Sequence, residues 1–244
     1  MKLLPRWRAP GTVREKQLSL SLQGRSVPLV VRKNPRAKRI IVRLSGDGDG
    51  VVVTVPARTA FDEGVRAAKR NADWIIQRLD AVPPRLPFAD GVAIPILGRD
   101  HTIRYRAKGR SGVHLEDGEL VVTGPDALLA GRVDRWLKKR ARTEITVRVA
   151  AKTARLGRPA GRITVRDTRS RWGSCSSRGN LSFCWRLVMA PEAVLDYVVA
   201  HEVGHLAVPN HGPQFWRTVA TLTDKVESSR LWLRRYGRAL HRYG

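Results

Sequence analysis

His201-Glu202-Val203-Gly204-His205 is the segment that most restricts what this 244-residue chain can become. Two histidines four apart work together only on a helix, where such side chains share one face and both imidazoles can reach one ion. A helix has ~3.6 residues per turn, so Glu202 projects about 100° round the axis from His201. Its carboxylate then stands beside an ion held by the histidines and can take a proton from a water there. The preceding residues read as the body of that helix. Pro191 suits a first turn, and Val194, Leu195, Val198 and Val199 make a buried stripe.

A catalytic zinc site takes three protein ligands and keeps one position open. Pro209 cannot continue the helix, and it pushes Val208 toward extended geometry. His211, two residues on, can swing back under the ion, and Pro213 can start a next helix carrying Phe215, Val219 and Leu222. Three of the six histidines thus fall within eleven residues. The expected zinc ligands are His201, His205 and His211, with Glu202 as general base of a metal-assisted hydrolysis. Glu227, on a later helix, is the rival third ligand, and Arg171 and Tyr236 are candidates for steadying an oxyanion. The plain alternatives are a helix with two satisfied histidines and an incidental glutamate, and a nucleic-acid-associated protein whose zinc is structural and not catalytic. His101, His114 and His241 stand alone and read as ordinary polar residues. Cys175 and Cys184 are too few for a disulfide framework and read as packing residues.

The rest of the chain reads as α+β. Alternating segments at 18–22, 27–31, 39–44 and 51–55 predict a small antiparallel sheet over 18–56. Phe61, Val65, Ala68, Ala72, Ile75, Ile76 and Leu79 predict one helix, and 93–123 returns to strand. These pieces form an expected β-rich N-terminal domain, 1–123, ahead of a second domain, 124–244. Asp126 can cap a long helix whose inner face is Leu129, Val133, Leu137, Ala141, Ile145 and Val149. A strand at 162–166 follows, then a hairpin turning at 176–180, whose second strand carries Leu181, Phe183, Trp185 and Leu187. No internal repeat is evident.

Charge raises a second class of partner. Lys and Arg total 46 against 21 acidic residues, a net +25. Between Arg132 and Arg171 there are 14 basic and 3 acidic residues, a local net of +11. Arg132, Arg135, Lys138, Lys139 and Arg142 make one face of the long helix a candidate polyanion surface, so nucleic acid is a possible partner beside a protein or peptide substrate. The bland reading is a solvated face on a chain whose 36 arginines against 10 lysines reflect coding bias. MKLLPRWRAPG holds no signal-peptide core, and no apolar run reaches ~18 residues. A soluble cytoplasmic protein without membrane contact is expected.

Beyond the metal motif, several segments resemble the YgjP-like metallopeptidase-domain family. They are Arg171-Trp172-Gly173-Ser174-Cys175-Ser176, Gly179-Asn180-Leu181, Trp185-Arg186-Leu187, Ala190-Pro191, Leu195-Asp196-Tyr197-Val198-Val199 and Asn210-His211-Gly212-Pro213-Gln214-Phe215-Trp216. Arg36-Ala37-Lys38-Arg39 and Val53-Thr54-Val55-Pro56 are similar to its leader. The resemblance runs roughly from residue 27 to 240. It implies a zincin-like C-terminal domain related to the SprT-like and WLM zinc proteases, some of which act on proteins crosslinked to DNA. It also implies His201, His205 and His211 as ligands and Glu202 as the catalytic residue. Val203-Gly204 stands where a leucine and a small residue are usual, and Cys184 where an asparagine is expected. The metzincin peptidases share the spacing from His205 to His211, but here Val208 replaces their glycine and no methionine follows.

Overall fold

The computed structural model describes residues 15–45, 48–82, 84–109 and 112–244. The MKLLPRWRAPG segment and the Gly46-Asp47 part of the loop at 45–50 lie outside the described residues. The chain divides between residues 83 and 84 into two compact units.

The first unit opens with β1 (Glu15–Leu22) and β2 (Arg25–Asn34), followed by β3 (Ile41–Leu44) and β4 (Val51–Pro56). The helices α1 (Phe61–Arg70) and α2 (Ala72–Asp80) complete it. The sheet has the order β1-β2-β4-β3. It is mixed, not antiparallel as expected, because β2 and β4 run parallel from Leu29↔Val51 to Asn34↔Pro56. Alternation places Leu20, Leu22, Val27, Leu29, Val31, Val51, Val53 and Val55 on one face, where they pack with Ala68, Ile75 and Leu79 of the helices. The single helix expected over 61–79 is broken at Asn71. That residue leaves helical geometry at φ −105°, ψ 24°, and its side-chain amide donates to the Ala67 carbonyl at 2.8 Å. Asparagine competes for backbone partners in this way and so favours helix ends.

The second unit begins with β5 (Ala93–Ile96), β6 (Arg99–Arg106), β7 (Gly112–Glu116) and β8 (Glu119–Thr123), in the order β5-β6-β8-β7. This repeats the first sheet. In both, the outer pairs are antiparallel, the middle pair is parallel, and a helix comes next in the chain. The first hairpin turns also match: Gln23-Gly24 has φ 50° and 77°, and Leu97-Gly98 has φ 50° and 82°. Two successive positive φ values suit the twist of a two-residue hairpin, and glycine takes the second without steric cost. An internal structural repeat is therefore present where the sequence suggested none.

The long helix α3 (Leu129–Leu156) buries Leu129, Val133, Leu137, Ala141, Ile145 and Val149, the stripe its four-residue step predicts. Asp126 does not cap it; Asp126–Leu128 forms a 3₁₀ turn and no side chain caps the helix start. The stripe shares one core with Ile94, Ile96, Ile103, Leu120 and Val122 of the second sheet. This common core moves the domain boundary from the expected 123/124 to 83/84.

A small sheet follows, made of β9 (Ile163–Arg166), β10 (Gly173–Cys175) and β11 (Leu181–Cys184) in the order β10-β11-β9. The strand expected through Leu187 ends at Cys184. Trp185–Met189 coils into a 3₁₀ helix with all five residues buried, a placement that helical geometry allows and a two-faced strand does not. Buried Arg186 holds this turn in place, donating to Asp167 at 2.9 Å and to the carbonyls of Leu240 and Tyr243. The chain closes with α4 (Glu192–Gly204), α5 (Pro213–Leu222) and α6 (Val226–Tyr236). No helix among the described residues is long and apolar enough to cross a membrane.

Candidate metal centre

α4 is anchored before it reaches the histidines. Val194, Leu195, Val198, Val199 and Val203 are buried in the core. Asp196 accepts from the Lys152 ammonium of α3, which also donates to the Leu222 carbonyl at 2.8 Å. Gly204 leaves room for Val219 and Phe215 of α5, since a Cβ there would stand 3.0 and 3.3 Å from them. His205 is the last helical turn's cap residue, and the chain then folds through Ala207 and Val208, whose amides donate to the Gly204 carbonyl at 3.1 and 3.0 Å. This is the turn Pro209 predicts. It returns His211 to the helix, just ahead of Gly212 and Pro213 at the start of α5.

One nitrogen from each of His201, His205 and His211 lies within 4.8 Å of the others. His201 Nε2 and His211 Nε2 are 3.0 Å apart. Two ligand nitrogens ~2.0–2.1 Å from a tetrahedral zinc lie about 3.3 Å apart, so the spacing fits a shared ion. The donor chemistry fits as well. His205 Nδ1 donates to the Val208 carbonyl at 3.1 Å, which fixes the tautomer that leaves Nε2 free to bind. Phe215 lies against all three imidazoles, with ring centroids 4.9, 4.4 and 4.7 Å from those of His201, His205 and His211. Burial, then the neighbouring His205 and His211, lower the His201 pKa to about 4, which keeps the ring neutral and able to bind metal. Burial likewise lowers His205.

Glu202 is 6% exposed, and burial raises its carboxyl to about 7 while the charge of Arg171 pulls it down. It touches β10 through Gly173. A Cβ on that glycine would lie 2.5 Å from both Cγ and Oε1 of Glu202. Sequence reading does not find this role for Gly173, because a missing side chain leaves no pattern; the only signal is a glycine opening a strand.

A cleft of about 930 Å³ opens over these groups. Its walls include Gly173, Ser174 and Cys175 of β10, together with Arg158, Arg171 and Pro209. β10 is the outer strand of its sheet, so among the described residues its far edge is not paired with another strand. Arg171 therefore reaches the candidate site. Tyr236 does not: it lines a separate apolar pocket with Trp232 and Tyr243. Glu227 lies outside the histidine cluster, its side chain 81% exposed and paired with Arg230 at 2.8 Å. His114 is exposed, His101 bonds the Arg99 carbonyl, and His241 packs on Trp172 with ring centroids 5.2 Å apart. Cys175 and Cys184 are both free thiols, and burial raises both. On α3, Lys138 pairs with Asp134 and Arg132 donates to the Thr123 carbonyl, so the basic face is partly engaged within the fold.

A family model described as YgjP-like, metallopeptidase domain, matches residues 38–236. No curated protein matches the chain. Among solved structures, the chain is similar to the metallopeptidase zymogen jannalysin of Methanocaldococcus jannaschii. Identity is 21% and the TM-score 0.34, over 39% of this chain and 96% of that one.

Proposed function

This chain belongs to the YgjP-like metallopeptidase-domain family, and from that premise we propose that it is a zinc-dependent peptidase with a zincin-like active site. The observation that carries the reading is three clustered imidazoles and one buried carboxyl lining the same cleft. Three imidazoles suit zinc, and three protein ligands rather than four leave a position for chemistry. His201, His205 and His211 hold the ion. Bound there, zinc supplies Lewis acidity, polarising a carbonyl oxygen and lowering the pKa of a water toward ~7.

The remaining steps fall to the chain's own groups. A Glu202 carboxylate oxygen takes a proton from the attacking water, whose oxygen bonds to the scissile carbonyl carbon. As the C–N bond breaks, Glu202 passes that proton to the leaving nitrogen. Gly173 lets Glu202 lie against β10, and the unpaired edge of β10 holds an extended substrate by backbone hydrogen bonds.

Removal of metal tests the reading as a whole. Chelator-treated protein is expected to lose peptide hydrolysis, and about one equivalent of zinc per chain is expected to restore it. Hydrolysis that persists in metal-free protein overturns the proposal.

Two further results follow from β10. Gly173→Ala is expected to keep zinc but lose about tenfold or more in rate, because the new Cβ displaces the base and small misplacements cost rate heavily. Full activity in a variant of unchanged zinc content refutes that role. Peptides N-methylated on alternate backbone amides are expected to bind at least several-fold more weakly than their parents. Equal inhibition constants for the two sets refute strand addition.

A further inference from the structure

The cleft is one-sided in charge. Arg158 and Arg171 line it, and Glu202 is the single carboxylate among its lining residues. Arg158 follows the Gly157 that ends α3, on a loop tied to the β10–β11 turn through Gly161 N–H to the Gly179 carbonyl at 2.9 Å. The next residue, Arg162, donates its backbone N–H to Asn180 Oδ1 at 2.9 Å. Arg171 lies two residues before Gly173, where the chain enters β10. Neither arginine belongs to an ion pair among the described residues. The surrounding segment adds to the field: residues 155–178 hold seven arginines and one acidic residue, a net of +6. That one acid, Asp167, is bound to Arg186.

We infer that the cleft selects peptides bearing a carboxylate next to the scissile bond, with Arg158 and Arg171 as the groups that bind it. The inference rests on the peptidase reading and names its substrate class. Guanidinium groups pair with carboxylates through two parallel hydrogen bonds, and both of these arginines are exposed where they line the cleft, open to an incoming peptide. Two exposed arginines, beside a strand edge that no described strand pairs with, match an extended acidic peptide. They match nucleic acid less well, since no tryptophan, tyrosine or phenylalanine among the described residues lines the cleft to stack a base. The carboxylate can come from an aspartate or glutamate side chain or from a peptide's C-terminus.

The test reads binding without turnover, on zinc-loaded full-length Glu202→Gln protein. Three fluorescent peptides are compared by anisotropy: one with aspartate and glutamate flanking the centre and an amidated end, its asparagine and glutamine counterpart, and that counterpart with a free C-terminus. At least one carboxylate peptide is expected to bind about tenfold tighter than the neutral one, with the gap narrowing as salt rises. Tighter binding of the first peptide assigns the carboxylate to a side chain, and of the third to the chain end. Arg158→Gln and Arg171→Gln are each expected to remove most of the preference without weakening the neutral peptide more than about twofold. Equal affinity for all three peptides overturns the inference, as does a preference that survives in the double variant. A single-stranded oligonucleotide that outcompetes every peptide, and needs both arginines to do so, also overturns it. Charge preference in a protein that hydrolyses nothing refutes the peptidase reading alone; hydrolysis without charge preference refutes this inference alone.

Discussion

Glu202→Gln is expected to keep about one zinc per chain and a native fold while losing at least ~10² in hydrolysis rate. The substitution preserves the shape that Gly173 accommodates, where Cγ and Oε1 of Glu202 fit against a backbone with no Cβ. What changes is one function: an amide cannot accept the water's proton at neutral pH. A loss of ~10² in kcat is about 2.7 kcal/mol of transition-state stabilisation. The same variant separates Glu202 from the ligands. Glu202 lines the same cleft but is not among the three residues whose donor atoms cluster. Zinc content and rate are therefore expected to part company in this variant. Undiminished turnover in Glu202→Gln ends the mechanism, and loss of zinc would make Glu202 a ligand rather than a base.

The geometry of the histidines was legible because every step in it is local. The four-residue spacing needs only a helix, and Pro209 forces the turn that returns His211 within six residues. The stripe on α3 was legible for the same reason. Long-range pairing was not. A strand's alternation is the same whether its neighbour runs parallel or antiparallel, so Val27 to Val31 and Val51 to Val55 gave no sign that β2 and β4 run in the same direction. The repeated sheet was hidden similarly. Its two copies keep a Gly-Arg after the first turn, Gly24-Arg25 and Gly98-Arg99, while the apolar residues around it differ. The domain boundary failed because 93–123 reads as one more run of strands, and only the packing of Ile103 and Leu120 against α3 assigns it to the second unit. Asn71 and the turn at Trp185–Met189 are cases where a local hydrogen bond or all-round burial overrode a periodic pattern. Around the histidine cluster, the places of Gly173, Arg158 and the outer strand β10 became visible only when segments far apart in the chain were brought together.

His211→Ala is expected to fail in the opposite order from Glu202→Gln, losing metal first and activity as a consequence. His211 Nε2 is 3.0 Å from His201 Nε2, and no other imidazole or carboxylate among the described residues joins their cluster besides His205. Without it two ligands remain, an incomplete site for zinc. Glu227 cannot substitute as placed, since its exposed carboxylate is held by Arg230. Zinc affinity should fall by at least ~10², and activity at limiting zinc should fall with it. Excess zinc is expected to recover part of the rate in this variant and none in Glu202→Gln, because mass action refills a weakened site but cannot replace a base. Zinc stabilises the native state in proportion to RT ln(1 + [Zn]/Kd). A ~10²-fold weaker site therefore loses about 2.7 kcal/mol of that stabilisation when zinc is well above both dissociation constants. The melting temperature of His211→Ala should accordingly lie below that of the parent with zinc present, and the gap should shrink once both are stripped of metal. The deciding measurement is zinc content, rate and melting temperature taken together across a zinc titration. Full zinc and full activity at limiting metal would remove His211 from the site and return Glu227 to consideration as the third ligand.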